Sequence, residues 1–290
     1  MDNVNTTSVK KETNFKQVMK RFMKNKLAVA GFIVFVLLVL VTVLADVIAP
    51  YDYEEIDPAN KFARPSAEHL LGTDQYGRDI FSRIVYGGRW SLTLGVCSTL
   101  LANIIGIVLG AIAGFFGGTI DNVIMRIVDI MQSIPPILLV IVVATALGNT
   151  FFNTIIALSV GGIWGTARML RGQILTVRNQ PYVDAAAVID NPKPRIIIKH
   201  VLPNSIQPII IHACMHVGIT IQTAAGLSFI GLGIQPPLPE WGAMLNDSKT
   251  YMRYYPFMLI APGIMILLTI LSISLLGDGL RDAMDPRMKK

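Results

Sequence analysis

Six long apolar windows limit what this chain can fold into. A helix needs about 20 mainly apolar residues to cross a hydrocarbon core of about 30 Å, so each window is a candidate membrane span. The windows cover residues 27–46, 90–116, 123–147, 151–171, 205–226 and 255–277, and the fourth is the weakest. With 52% hydrophobic and 15% charged residues, the chain is too apolar for a soluble domain of 290 residues. The sequence predicts an all-α membrane protein with six transmembrane helices.

The distribution of Lys and Arg predicts the orientation of these helices. If the N-terminus is cytoplasmic, 18 of the 25 basic residues lie on the cytoplasmic side. The positive-inside rule then places both termini and the polar segment 172–204 in the cytoplasm. The net charge of +6 does not point to nucleic acid, because these residues flank span ends, where anionic lipid head groups attract them.

The windows also divide the chain into parts. These are a cytoplasmic segment 1–26, a first anchor 27–46 with an extracellular loop 47–89, a core transmembrane domain 90–277, and a cytoplasmic tail 278–290. The first window is an anchor and not a cleaved signal, because it exceeds the usual apolar length of about 7 to 15 residues. Cys97 and Cys214 lie in different windows, without the paired spacing of a disulfide framework or zinc site.

Two further features are predicted on the extracellular side. A short amphipathic helix, capped by Asp79 and ended by Gly87 and Gly88, is expected at the membrane surface. Its apolar face consists of Ile80, Phe81, Ile84 and Val85. Residues 226–247 are rich in Gly and Pro and are expected to form a re-entrant or surface-lying lid. Interfacial positions are expected for Trp241, Tyr251, Tyr254 and Tyr255.

The third window contains charges and prolines that are unusual in a membrane span. Arg126 and Asp129, one helical turn apart, are expected to pair and face the bundle interior, because a charge that faces lipid is expensive. Pro135 and Pro136 are expected to kink the helix and free carbonyl groups that need burial or water. The pattern is consistent with a gate on a transport path and equally with a structural kink.

His212 and His216 in the fifth window are spaced i, i+4, which allows one helix face to hold a metal ion. Cys214 lies about 160 to 200° from either histidine around the helix, so it cannot join them. Intramembrane histidines ordinarily line an aqueous path or bond across helices. Because third and fourth ligands are missing, no metal site is predicted, and both histidines are candidate path residues.

The polar segment contains a short helix of about ten residues from residue 181. Pro181 suits the first turn, Asp184 lies near the positive end of the helix dipole, and Asn191 with Pro192 ends the helix. Its small and apolar surface needs a partner groove, so Ala186→Glu is expected to block docking. Asn204 and Gln207 are expected to form a capping box at the start of the fifth span.

The order Asp184, Ala185, Ala186, followed by HVLPN at 200–204, resembles the EAA loop of permease subunits in bacterial ABC importers. Four more stretches are similar to the C-type permease of the peptide and nickel importer group. They are LGTDQYGRDIFSRIVYGG (71–88), the spacing of Asp121, Met125, Arg126 and Asp129, LSFIGLGIQPPLPEWGAML (227–245) and LGDGLRDAMDPR (276–287). The resemblance covers residues 20–287.

The resemblance implies a MetI-like permease fold in the bacterial cytoplasmic membrane. It implies a homologous second permease, two ATP-binding subunits and an extracytoplasmic substrate-binding protein as partners. ATP and Mg would bind to the ATPase subunits, and this chain would bind no cofactor and would not itself be an enzyme. Peptide is the favoured cargo and nickel the alternative. A stand-alone secondary transporter is less favoured, because the spans hold few coupling charges.

The resemblance also assigns roles in the polar segment. The residues implied in coupling to the ATPase are Tyr182, Asp184, Ala185, Ala186, Ile189, Asp190, His200, Pro203 and Asn204. Asp190 departs from the family pattern, which has glycine at this position. Asp tolerates a left-handed backbone better than most residues, so the turn can form, but it brings a charge to the expected contact. No GxxxxGK[ST] phosphate loop occurs in the sequence, so an ATPase would be a separate chain.

Overall fold

Helices form nearly all the regular structure of this chain. A computed structural model describes residues 14–284, and within that range the one other regular contact is a β-bridge between Thr73 and Asp79. The first helices are α1 (Asn14–Phe22), α2 (Lys26–Val43) and α3 (Ala45–Ile48). Asn25 caps α2, because its side-chain oxygen accepts a hydrogen bond from the backbone N–H of Ala28.

A helix of 37 residues, α4 (Ile80–Phe116), follows a 3-10 turn at Pro58–Asn60. Asp79 caps it as predicted, accepting a hydrogen bond from the backbone N–H of Ser82 at 2.7 Å. The helix begins ten residues before the predicted window and includes residues 80–89 of the predicted loop. The separate surface helix was therefore a wrong prediction.

Gly87 and Gly88 do not end that helix, which continues through both residues. Their role is to allow close packing. A Cβ at Gly87 would lie 1.9 Å from the carbonyl oxygen of Pro239, and one at Gly88 would lie 2.0 Å from Cγ2 of Thr42. A larger residue at either position would force the neighbouring chain away. The two glycines thus bring the outer end of α4 against α2 and the loop before residue 241.

The third predicted span is broken into α5 (Gly118–Gln132) and α6 (Pro136–Leu147), which are bent by 90°. The predicted kink is confirmed. Pro135 has no N–H to continue the ladder of α5, and Pro136 occupies the first position of α6, where a missing N–H costs nothing. Ser133, Ile134 and Pro135 form the elbow between the helices.

The polar segment begins within the last turns of α7 (Phe151–Val177) and ends just before α11 (Gln207–Phe229). It contains α8 (Pro181–Val188), α9 (Lys193–Ile196), a π-helical turn (Ile197–Val201) and α10 (Leu202–Ser205). The predicted capping box at α11 is wrong. Asn204 Nδ2 donates to the carbonyl oxygen of His200, and Gln207 Nε2 donates to that of Met284, which ties the start of α11 to the end of the chain's last helix.

The helices α12 (Trp241–Ser248) and α13 (Phe257–Met284) complete the fold. The interfacial position predicted for Trp241 is wrong: its side chain is fully buried, and its Nε1 donates to the carbonyl oxygen of Ile84 at 2.9 Å. The last part of the predicted lid, residues 241–247, lies in α12 and packs against α4, α11 and α13, whereas Phe229 and Ile230 near its start are exposed. Tyr251 and Tyr255 pack against Phe62, with ring centroids 4.9 and 4.4 Å apart.

Glu240 anchors α12 at its start. Its carboxylate accepts hydrogen bonds from the backbone N–H groups of Gly242 and Ala243 at 2.9 and 2.8 Å and from the hydroxyl of Ser91 at 3.2 Å. Complete burial raises the pKa of the Glu240 carboxyl, while these donors oppose the rise. One buried carboxyl therefore joins α12 to α4.

Four helices, α2, α4, α11 and α13, are long and apolar enough to cross a membrane, and the bent pair α5–α6 makes a fifth candidate. The helix α7 is long enough, with 27 residues, but is not among them, consistent with its window being the weakest. The count of six spans and the cytoplasmic position of both termini remain predictions. Lys10, Lys11 and the end of the 276–287 motif lie outside the described residues.

The helices α4 and α7 make the most extensive helix pair of the bundle. Gly106, Gly110 and Gly114 are spaced four residues apart on one face of α4 and leave no room for side chains. A Cβ at Gly110 would lie 2.5 Å from the carbonyl oxygen of Ala167 on α7. Small residues at this spacing let two helices in a membrane approach closely.

Candidate functional site

The coupling segment (residues 181–204) forms the short helix that the sequence predicts. Pro181 begins α8, and the helix ends at Val188, so it has eight residues where about ten were expected. Asn191 Nδ2 donates a hydrogen bond to the carbonyl oxygen of Ala186 at 3.1 Å, which satisfies one of the carbonyl groups at the helix end.

The buried face of α8 packs on the chain's own helices. Val183 and Ala186, each 5% exposed, join a cluster that includes Leu170 and Ile174 of α7 and Ala111 of α4. The assignment of Ala186 to the docking face was therefore wrong. Its methyl group fills a site inside this chain, and Ala186→Glu would disturb the cluster directly.

The outward face of α8 is apolar and unusually exposed. Tyr182 is 44% exposed, and Val188 and Ile189 are 85% and 74% exposed. Asp184 and Ala185 are also exposed. Patches of this kind mark interaction sites, so this outward face is the candidate docking surface.

Asp190 adopts the conformation that the family glycine would adopt. Its φ is +58°, in the left-handed region, and its side chain is exposed. A left-handed backbone costs most residues about 1 to 2 kcal/mol, although Asp and Asn tolerate it better. The turn after α8 therefore forms with Asp190 in place.

We expect Asp190→Gly to raise the free energy of unfolding by about 0.5 to 1 kcal/mol, because it removes this strain. Asp190→Val is the matched opposite and should lower it, since a β-branched residue resists positive φ. Thermal unfolding of the detergent-solubilised chain measures both changes. If Asp190→Gly destabilised the chain, the strain argument would fail.

The connector to α11 is held by local hydrogen bonds. The π-helical turn includes His200, Ser205 Oγ donates to the carbonyl oxygen of Val201 at 2.9 Å, and Asn204 Nδ2 donates to that of His200 at 2.7 Å. Pro203 is exposed within α10. The three predicted connector residues, His200, Pro203 and Asn204, are thus adjacent in one compact turn.

A cleft of about 380 Å³ opens at the elbow between α5 and α6. It is lined by Met131, Gln132, Ile134, Pro136, Leu139, Gly161, Gly162, Trp164, Gly165, His212 and His216. A neighbouring cleft of about 280 Å³ shares Pro136, Gly161 and His216 with it. We call the two together the central cleft. The elbow and both predicted histidines therefore meet at one place.

The histidines stack on each other, with ring centroids 5.3 Å apart. His216 Nδ1 lies 3.2 Å from Oγ1 of Thr220, which in turn lies 3.1 Å from Oγ1 of Thr99 on α4. Among residues 14–284, no group of three or more His, Cys, Asp or Glu side chains is placed to hold a metal ion. The two histidines therefore contribute polar side chains to the lining of the central cleft.

Arg126 and Asp129 do not pair, contrary to prediction. Asp129 forms an ion pair with Arg168 of α7 at 2.5 Å, and Arg126 is exposed on α5. Both residues of the expected pair are exposed in this chain, so neither faces the bundle interior. One turn further along α7, Arg171 binds both carboxylate oxygens of Asp121.

Sequence reasoning missed the contribution of α7. Trp164 and the neighbouring glycines line the central cleft, and Arg168 and Arg171 hold α5. Two signals could have found them: the GGIWG run at 161–165, and two arginines inside the weakest window, 151–171. Intramembrane charge is costly and marks functional positions by default.

Comparison with protein families gives two matches. The family described as "Binding-protein-dependent transport system inner membrane component" matches residues 106–290. The family described as "N-terminal TM domain of oligopeptide transport permease C" matches residues 13–65. The first match includes both the coupling segment and the central cleft.

Several characterised relatives match nearly the whole chain. The dipeptide transport system permease protein DppC of Alkalihalophilus pseudofirmus is 42% identical, covering 95% of this chain and 90% of the relative. The glutathione transport system permease protein GsiD of Pectobacterium atrosepticum is 41% identical, covering 96% and 92%. The oligopeptide transport system permease protein OppC of Bacillus subtilis is 40% identical, covering 95% and 90%.

Solved structures show a shared fold at low sequence identity. The MetNI methionine ABC transporter in an inward-facing conformation matches with a TM-score of 0.56 at 19% identity, over 70% of this chain and 97% of the compared chain. An amino acid ABC transporter with histidines matches with a TM-score of 0.51 at 17% identity, over 69% and 94%. The predicted MetI-like fold is confirmed.

Proposed function

Because the chain belongs to the family of binding-protein-dependent transport system inner membrane components, we propose that it imports peptides as one permease subunit of a bacterial ABC importer. As a member of this family it is a multi-pass protein of the cytoplasmic membrane, and it lacks an ATPase site of its own. The observation that carries the peptide assignment is 40–42% identity, over nearly the full length, to permeases of dipeptide, glutathione and oligopeptide systems.

The importer family implies a partner permease, ATPase subunits and a binding protein. We propose the arrangement of one homologous permease, two ATP-binding subunits and one extracytoplasmic binding protein that delivers the cargo. ATP and Mg bind to the ATPase subunits in this scheme, and this chain binds no cofactor. Nickel remains the alternative cargo, although the two histidines of the central cleft lack further ligands among the described residues.

The outward face of α8 is the proposed docking site for an ATPase subunit. Tyr182 and Ala185 on this helix and Ile189 directly after it are exposed, and Asp184 and Asp190 flank them. Covering exposed apolar side chains with a partner contributes about 25 cal/mol of favourable free energy for each Å² buried. Docking therefore has a driving force, and the connector through His200, Pro203 and Asn204 leads directly into α11.

The central cleft is the proposed transport path. The broken helix α5–α6 forms one wall, and α7 and α11 form the others, so that Pro136, His212 and His216 belong to a single surface, with Pro135 next to it in the elbow. Irregular backbone in a membrane is tolerated where it lines such a cavity. Alternating access then needs only that ATPase closure moves these walls relative to one another.

The test of this function is uptake by the chain reconstituted with its partner permease, ATPases and binding protein. Di- and oligopeptides are offered beside nickel at chelator-controlled concentration. We expect peptide uptake that requires ATP. Nickel uptake without peptide uptake would reverse the choice of cargo. Uptake of neither solute would rule out both cargo assignments.

We expect His212→Ala and His216→Ala each to lower peptide uptake by about three- to tenfold, because each removes polar lining worth about 1 kcal/mol of hydrogen bonding from the path. ATP hydrolysis should remain. Phe152→Ala on α7 is the control, since Phe152 is 74% exposed and does not line the cleft. Loss of nickel uptake alone in the histidine variants would contradict the peptide assignment.

A further inference from the structure

We propose that Arg168 and Arg171 of α7 are positioning residues that transmit movement of the coupling segment to the wall of the central cleft. The proposal rests on the proposed function, because a link between ATPase docking and a transport path has meaning only in an importer. It concerns two ion pairs that the sequence did not predict. Each pair joins α7 to α5.

The pair between Arg171 and Asp121 is the more buried of the two. Arg171 Nε lies 2.9 Å from Oδ1 of Asp121, and Nη2 lies 2.5 Å from Oδ2. Asp121 is 8% exposed and stands in the first turn of α5. Two parallel bonds between a guanidinium group and a carboxylate fix orientation as well as distance. This pair therefore holds the start of α5.

The pair between Arg168 and Asp129 holds the other end. Arg168 Nη2 lies 2.5 Å from Oδ1 of Asp129, in the last turn of α5. The two arginines are about 4.5 Å apart along α7, whereas the two carboxylates are about 12 Å apart along α5, from the rise of 1.5 Å per residue. The helix α5 therefore crosses α7, and the two pairs fix both its position and its direction.

The same stretch of α7 is joined to the coupling segment. Leu170 and Ile174, which flank Arg171, belong to the same buried cluster as Val183 and Ala186 of α8. At the end of α7, Arg178 Nη1 donates to the carbonyl oxygen of Gly114 on α4 at 2.9 Å. Close-packed interiors transmit displacement because they have low compressibility, so a force on α8 reaches this part of α7.

The other end of the link is the central cleft. Met131 and Gln132, the last residues of α5, line the cleft together with His212 and His216. The 90° elbow at Ser133–Pro135 interrupts the backbone ladder, so α5 can tilt without carrying α6 with it. Movement of α7 that pulls on Asp121 and Asp129 therefore shifts this wall of the cleft.

The two pairs serve position more than stability. The side chains of Arg168 and Asp129 are 49% and 51% exposed, and an exposed pair contributes little to folding. The side chain of Asp121 is 11% exposed and that of Arg171 is 33% exposed, so this pair keeps more of its attraction. Breaking either pair is thus expected to weaken coupling before it unfolds the chain.

The experiment compares ATP hydrolysis with peptide uptake in the complete transporter, reconstituted in lipid vesicles. Arg171→Asp and Asp121→Arg are each expected to lower peptide taken up per ATP by about tenfold, since allosteric links are typically 5- to 150-fold. Binding-protein-stimulated hydrolysis should stay within about twofold of wild type, because the docking face of α8 is unchanged. The exchanged double variant Asp121→Arg/Arg171→Asp should recover most of the uptake per ATP.

The pair between Arg168 and Asp129 gives a second, independent set of variants. Arg168→Asp and Asp129→Arg should behave alike, and their exchange should restore coupling. Lys24→Glu is the charge-reversal control, because Lys24 is exposed between α1 and α2, away from both the cleft and α8. Arg171→Lys keeps the charge but cannot bind both oxygens, so it should lose about threefold in uptake per ATP.

A measurement without cargo separates this proposal from the proposed function. The rate at which a thiol reagent labels Gln132→Cys, above the labelling of the native cysteines, should change when ATP is added. That change should vanish in Arg171→Asp and return in the exchanged variant. If peptides are not imported but this pattern appears, the cargo assignment fails and the link stands.

Three results would overturn the link. The first is that the single charge-reversal variants keep the wild-type peptide uptake per ATP, or the wild-type change in labelling rate when ATP is added. The second is failure of the exchanged variants to recover in assemblies of normal amount. The third is a parallel fall of hydrolysis and uptake, which indicates a merely structural role. If the charge-reversed variants do not assemble, peptide uptake per ATP is measured for Arg171→Lys instead. A threefold loss supports the link, and a wild-type value overturns it.

Discussion

Replacing Ile189 by glutamate should lower peptide uptake by about 30-fold or more while leaving the chain folded. Ile189 is 74% exposed at the end of α8, on the proposed docking face. A charge there would be buried without a partner when an ATPase subunit covers it, and central interface residues commonly contribute about 2 kcal/mol or more. Co-purification of the ATPase subunits and ATP-driven peptide uptake measure the effect.

Met23→Glu is the matched control for Ile189→Glu. Met23 is also apolar and 61% exposed, but it lies in the turn between α1 and α2. It should leave both ATPase binding and uptake unchanged. Normal ATPase binding and uptake in Ile189→Glu would contradict the assignment of α8 as the docking helix.

Ala186→Glu separates docking from folding. Ala186 is buried in one apolar cluster with Leu170 and Ile174, so a glutamate there would place a carboxylate in that cluster. We expect less folded chain in the membrane and lower thermal stability, whereas Ile189→Glu should keep wild-type stability. Equal stability of the two variants would contradict the buried position of Ala186.

Gly110→Val should destabilise the bundle by about 3 kcal/mol, the upper part of the usual range for overpacking. A Cβ at Gly110 would lie 2.5 Å from the carbonyl oxygen of Ala167, and backbone at that distance cannot move aside as a flexible side chain can. Separation of α4 from α7 would also disturb Arg171, whose backbone nitrogen would lie 3.2 Å from the added atom. Thermal unfolding in detergent and the yield of assembled transporter measure the loss.

Gly263→Ala is the control for this substitution. Beyond its own stretch of α13, no atom of residues 14–284 lies within 4 Å of a Cβ built at Gly263, and Ala is a better helix former than Gly by about 0.5 to 1 kcal/mol. We expect unchanged or slightly higher stability. A Gly110→Val variant as stable as Gly263→Ala would show that α4 and α7 can separate at no cost.

Part of the candidate site could be read from local sequence. The helix that begins at Pro181 and the break at Pro135–Pro136 follow from local backbone preferences, and the resemblance implied the left-handed turn at Asp190; the structure has all three. Such features depend on a few neighbouring residues.

The faces of these elements could not be read in the same way. Ala186 was placed outward and is buried, Trp241 was placed at a membrane interface and is buried, and Arg126 was paired with Asp129, which binds Arg168 instead. In a span that is apolar on nearly every side, hydrophobic periodicity is weak, so the sequence does not indicate which face meets another helix. For the same reason the sequence does not indicate which residue pairs with a charged side chain.

The sequence by itself determined the membrane environment and the helical class of the chain. It also determined the break of one span at its prolines and the short helix in the polar segment. These properties follow from composition and from local backbone chemistry, which need no knowledge of distant residues. Only the tertiary structure decided that α4 and α7 meet through glycines, that α7 holds α5 by two arginines, and that the elbow and both histidines line one cleft. Those contacts join residues far apart in the chain, and their geometry is set by the packing of whole helices.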